Sequence, residues 1–145
     1  MNAFALHPQL AADCHDLGRL GVSRLLLMND ARYRWFILVP EIANARELHE
    51  LDAPTRHRLS DDSAKLCHAM QAAFRPDKLN IATLGNVVPQ LHIHHIARFR
   101  DDPAWPGPVW GHSPPRAYQP HEVAAIRHHL GDALPEIAWH AQEPG

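Results

Sequence analysis

The chain has 145 residues, a formal net charge of −2, 46% hydrophobic content and 21% charged residues. That length predicts one domain, 1–145, large enough to fold without a metal or a disulfide, and the charge balance excludes a disordered chain and a bulk basic field for nucleic acid. Thirteen histidines nearly equal the 14 Lys and Arg, so the chain turns net cationic below pH ~6.5 and a metal-binding reading has to be weighed.

From Met1 to Gly18 no basic stretch precedes an apolar run, which predicts no signal peptide. No segment reaches the ~18 apolar residues of a spanning helix, so no membrane partner is expected. Cys14 and Cys67 have no CxxC spacing and read as reduced thiols of a cytoplasmic protein. Arg24 to Asn29 predicts a buried strand, and Trp35 to Val39 a second one stopped by Pro40. The few residues between them predict a hairpin. Leu48 and Leu51 mark a short helical segment. Asp52 reads as an N-cap, with a long amphipathic helix over Pro54–Phe74 that turns Arg56, Arg58, Asp62 and Lys65 to water. Lys78–Leu84 alternates as a half-buried strand, Gly85-Asn86 is a turn, and Gln90–Phe99 is the next strand.

Beyond Arg100 the composition shifts, with eight of the 13 prolines at or after Pro103. Asp102 to Pro115 is predicted extended or looped. Its Trp105 and Trp110 suit either a lid, a cover for an edge strand, or a tail pinned by buried indoles. A last helix from Pro120 is predicted to end at Gly131, and Ala133–Trp139 to add a further turn or two. His49, His57, His68, His121, His128, His129 and His140 fall in these helical stretches without ligand spacing. Strands in meander order with one long intervening helix predict an α+β domain of about five antiparallel strands. Its core covers about 24–100, and the Pro/Trp-rich segment and C-terminal helix fill 101–145.

Chemistry concentrates in Gln90-Leu91-His92-Ile93-His94-His95-Ile96-Ala97-Arg98. Period two puts Gln90, His92, His94 and Ile96 on one face and Leu91, Ile93, His95 and Ala97 on the other. Two imidazoles held in fixed register can supply a nucleophile and a neighbour that handles a proton near pH 7. His-x-His can instead give two ligands to a metal, with His112 a conceivable third, but no ligand spacing completes that site and none is assigned.

This segment resembles the histidine triad superfamily, whose signature is His-φ-His-φ-His-φ-φ with φ apolar. Gly85 to Pro89, the Trp35–Pro40 strand and the short-then-long helical stretch from Glu47 extend the likeness over Leu25–Arg98. The resemblance implies a nucleotide hydrolase or nucleotidyl transferase, a homodimer joining two sheets, and no cofactor. It implies that His92 attacks the α-phosphorus to form a nucleotidyl-histidine, and that His94 orients the nucleophile and meets the transferring or leaving phosphate. Asn29 then matches a nucleoside contact and Asn86 a phosphate contact, although both also suit turn chemistry. Trp35 stands where many members carry a further histidine, to stack on a base or to pack. Arg98 is kept in the candidate nucleotide-binding set as a forked donor, although the solvated state usual for strand-end arginines is the favoured reading of it and of Arg100. Gln90 replaces the first histidine; its amide can orient a neighbour but cannot shuttle a proton. Val87 replaces a hydroxyl. These departures keep open a nucleotide-binding or interaction module with weakened or lost catalysis.

Overall fold

The computed structural model of the chain describes residues 3–141. After a short helix α1 (Pro8–Asp13), β1 (Cys14–Leu20), β2 (Ser23–Met28) and β3 (Arg34–Pro40) pair as successive antiparallel strands. A 3-10 turn at Leu48–Glu50 and helix α2 (Ala53–Phe74) carry the chain across to β4 (Lys78–Ala82) at the sheet edge. β5 (Ile93–Arg98) then inserts between β4 and β3. Helix α3 (Pro120–Ala133) leads to β6 (Ala138–Trp139), which pairs with β1. The sheet therefore has six antiparallel strands in the order β4-β5-β3-β2-β1-β6. The α+β expectation stands, with one strand more than counted and a crossover in place of a meander.

Strands β2 and β3 are apolar on both faces because both faces are covered. Leu25, Leu27, Phe36 and Leu38 pack with Leu66, Met70, Ile126 and Leu130 under α2 and α3. Leu26, Trp35, Ile37 and Val39 pack with Leu10, Ala104 and Val109 on the opposite face. The Pro/Trp-rich segment thus covers a sheet face, not an edge.

Asp52 accepts from the Thr55 backbone N–H at 2.8 Å and starts α2 as expected. The helix ends where Arg75 turns left-handed at φ 51°. Asp62 departs from the expected water-facing side. It is buried, and its carboxylate accepts from Val22 N–H at 3.1 Å and Ser23 Oγ–H at 2.8 Å, pinning α2 to the β1–β2 turn. That turn uses Gly21 at φ +58°, and a Cβ there would collide with the Asp62 carboxylate.

Other boundaries moved. The 78–84 strand stops at Ala82, and the 90–99 strand starts at Ile93, leaving Gln90 and His92 just before the ladder. α3 runs through Gly131 to Ala133, and the Trp139 indole packs against the helix at bare Gly131. The expected extra helical turns up to Trp139 are instead β6, so His140 follows a strand. α1, β1 and β6 had no clear sequence signal: β1 carries Asp16 and Arg19 outward and is broken by a bulge between Asp16 and Gly18.

Candidate active site

His92 and His94 meet on the sheet face away from the helices, with ring centroids 4.8 Å apart and 67° between planes. Each histidine is about 5% exposed. His92 Nδ1 lies 2.7 Å from the backbone carbonyl of Gln90. A carbonyl only accepts, so Nδ1 carries the proton and Nε2 keeps its lone pair. The orienting group is therefore the main chain of residue 90. The Gln90 side chain does not join the site: its Oε1 accepts from His7 N–H and its Nε2 donates to the Ala5 carbonyl, both at 2.9 Å.

His94 pairs with Ile37 across β5 and β3, and Trp35 pairs with Ile96, so Trp35 is the diagonal neighbour of His94 on one face. The Trp35 indole Nε1–H donates to His94 Nδ1 at 2.9 Å. Trp110, from the Pro/Trp-rich segment, lies edge-on to both, with centroids 5.1 Å from His94 and 5.8 Å from Trp35. Burial, with His92 and His95 adding to it, pushes the His94 pKa down to about 3. Trp110 Nε1 is buried and has no hydrogen-bond partner among the described residues.

His95 faces the helices, as the alternation requires. Its Nδ1–H donates to the Ile93 carbonyl at 3.0 Å and its Nε2 accepts from Ser63 Oγ–H at 2.7 Å. Burial lowers its pKa to about 4, so it packs as a neutral core residue.

A cleft of about 420 Å³ opens beside the indoles, lined by Asn29, Asp30, Arg32, Trp35, Trp110 and Ser113 among others. His92 and His94 do not line it directly; Trp35 and Trp110 connect it to His94, and through that ring to His92. Asn29 Oδ1 accepts from Tyr118 N–H at 2.9 Å and is bonded to His15 Nε2 at 3.1 Å, so this amide ties the cleft's outer wall to the sheet. Burial by itself would raise the Asp30 carboxyl, but hydrogen bonds from Arg32 and the Arg116 N–H hold it below the usual range. Arg32 also bonds Ser113. Asp30, Arg32 and Ser113 went unrecognised in the sequence, where only the Asn29-Asp30 turn marked the place.

Asn86 is exposed in the loop before the histidines. Arg98 is neither solvated nor presented to the cleft. It is 1% exposed and donates to Asp102, Asn80 Oδ1 and the Gly107 carbonyl at 2.8–3.0 Å, so four contacts occupy its fork. His112 is bonded to Ser113 Oγ at 3.0 Å, and among the described residues no group of three or more His, Cys, Asp or Glu is placed to hold a metal ion. Both cysteines are free, and burial, with Asp13 and Asp16 near it, pushes the Cys14 thiol up to about 12. Among the described residues no helix is long and apolar enough to cross a membrane.

A sheet of this order with a His-φ-His strand entering from a carbonyl-held histidine defines a histidine triad protein. The chain belongs to the HIT family: the HIT domain matches residues 10–101. It is 46% identical to a histidine triad protein from Marinobacter aquaeolei VT8, over 94% of this chain and 100% of that one, with a TM-score of 0.90. A histidine triad protein from Bradyrhizobium japonicum is 41% identical over 92% of this chain and 99% of that one, with a TM-score of 0.89. One from Sinorhizobium meliloti 1021 is 37% identical over 90% of this chain and 97% of that one, with a TM-score of 0.88. No curated protein matches. Members of the family are generally nucleotide-binding hydrolases and transferases.

Proposed function

We propose that the chain takes a nucleotide or nucleotide conjugate and transfers its nucleotidyl group to His92. The observation that carries this reading is the 2.7 Å bond from His92 Nδ1–H to the Gln90 carbonyl, which leaves Nε2 as the nucleophilic nitrogen. The Nε2 lone pair attacks the α-phosphorus, and the bond to the leaving oxygen or nitrogen breaks with its electron pair. The positive charge on the ring is stabilised through Nδ1–H and the carbonyl. Water or another hydroxyl acceptor then attacks phosphorus and releases its proton to solvent, and the P–N pair returns to Nε2. The indole-lined cleft is suited to a flat base, with Asn29 on its lining as a polar contact and Asn86, exposed in the loop before the histidines, as a candidate phosphate contact.

The test is a panel of dinucleoside polyphosphates and nucleoside phosphoramidates, with acid-quenched mass spectrometry for a nucleotidyl adduct on His92. His92→Ala is expected to lower kcat/KM on the order of 10⁴-fold, the scale of losing a covalent nucleophile. Unchanged turnover in that variant excludes the mechanism.

A second reading, a nucleotide-binding module without turnover, is favoured by the Gln90 side chain being tied to the N-terminal segment. Calorimetry showing nucleotide binding with no turnover supports it, and no binding at all excludes both readings. The homodimer expected for the family is supported by the open edge at β4, with Ile81 53% and Leu84 45% exposed. Light scattering is expected to give twice the chain mass, and Ile81→Lys to shift it toward the monomer.

A further inference from the structure

Building on the nucleotidyl-transfer reading, we infer that Trp35 decides how His94 acts. It holds His94 as a neutral ring protonated on Nε2, a fixed donor to a phosphoryl oxygen that does not protonate the leaving group, so the site favours nucleotides whose leaving group departs as a stable anion.

The argument starts from the indole. Trp Nε1–H donates and never accepts, so a 2.9 Å contact to His94 Nδ1 requires a lone pair on that nitrogen. The ring proton then sits on Nε2, to which no described residue is hydrogen-bonded. Protonating Nδ1 would set two N–H groups against each other and orphan a buried indole donor. Trp35 itself is only 6% exposed, so water cannot take its place. Trp110 closes the other side of the ring edge-on. Across the strands His94 meets Ile37 of β3 and Ala82 of β4, neither titratable. The titratable rings acting on it are His92 and His95, and both oppose a second positive charge. The charged pair Arg98–Asp102 on β5 and the segment after it is closed on itself at 2.8 Å.

A neutral imidazole N–H is a hydrogen-bond donor but a very weak acid. It can stabilise charge growing on a phosphoryl oxygen, which is where preorganised donors act. It cannot hand a proton to a departing amine or alkoxide, which general-acid catalysis would require. The Gln90 amide, held by Ala5 and His7, does not replace that acid. Breaking the phosphorus–oxygen bond therefore leaves the electron pair on an unprotonated leaving oxygen. Phosphoanhydrides and aryl esters tolerate this, and alkyl phosphoramidates do not.

Nitrogen NMR of the full-length ¹⁵N-labelled chain tests the first half without any variant. Expected is a lone-pair Nδ1 and a protonated Nε2 for His94, constant from pH 5 to 8. A proton on Nδ1, or a His94 that titrates in this range, overturns the proposal. In Trp35→Phe the ring is expected to exchange tautomers and begin to shift with pH. Kinetics on nucleoside 5′-monophosphate aryl esters of graded phenol acidity test the second half. In the unaltered chain kcat/KM is expected to fall about tenfold per unit of phenol pKa, and Trp35→His to flatten that slope and add an acid limb to the pH profile. A flat slope in the unaltered chain overturns the leaving-group preference. No turnover of any ester overturns nucleotidyl transfer and that preference together, and the nitrogen spectrum then decides the hold of Trp35 on His94 by itself.

Discussion

The Gln90 side chain accepts a hydrogen bond from the backbone N–H of His7, 83 residues away, at 2.9 Å. The same side chain donates to the Ala5 carbonyl, so Gln90 fastens the N-terminal segment to the stretch that leads into the histidines. The task of orienting His92 stays with the backbone carbonyl of residue 90, which any side chain leaves intact.

Gln90→Ala is therefore expected to cost about 0.5–1.5 kcal/mol per lost hydrogen bond. Amide exchange at His7 should accelerate, while kcat/KM changes far less than in His92→Ala. A loss of turnover as deep as that of His92→Ala would show that the side chain itself acts in the reaction.

Stability should fall in mild acid. His94 and His95 have folded pKa values of about 3 and about 4, below the ordinary 6.5. The folded state then binds fewer protons than the unfolded chain, so both rings contribute full stability above pH ~6.5. That contribution is lost as pH falls and levels off near the folded values. Each ring adds at most about 1.4 kcal/mol per pH unit within its window. Urea denaturation at steps from pH 7 to 4 measures the slope, and His95→Gln is expected to remove one ring's share. An identical slope in that variant would place the titration elsewhere.

Arg98 is expected to matter for folding more than for ligand. Its guanidinium joins Asp102, Asn80 and Gly107 beneath the Pro/Trp-rich segment, with Trp105 5.8 Å from its centre. Arg98→Ala leaves buried Asp102 without its partner and is expected to cost about 3–5 kcal/mol. Lys cannot form the same fork, so Arg98→Lys should recover only part. Chemical denaturation checks both. A stable Arg98→Ala variant with weakened nucleotide affinity would return Arg98 to the binding site.

The local parts of the fold were legible because their causes are local. Asp52 caps α2 within three residues, and the short Asn29–Tyr33 link leaves β2 and β3 little choice but to pair. Strand alternation separated His94 from His95 without any knowledge of what covers either face. Asp62 and Arg98 misled because charge predicts exposure only until folding supplies partners. Asp62 finds Val22 and Ser23 some 40 residues away, whereas Arg98 is closed in mainly by Asp102, four residues on, together with Asn80 of the paired strand and the Gly107 carbonyl.

The sequence by itself determined the family and which histidines share a face, since a motif and a period of two are readable along one strand. Only the tertiary structure decided what Gln90 and Trp35 touch. Gln90 reaches the N-terminal segment, and Trp35 reaches His94 through the β3–β5 register. Both depend on pairing between segments far apart in the chain. The direction of a hydrogen bond to one ring nitrogen is set by that pairing and not by residue type.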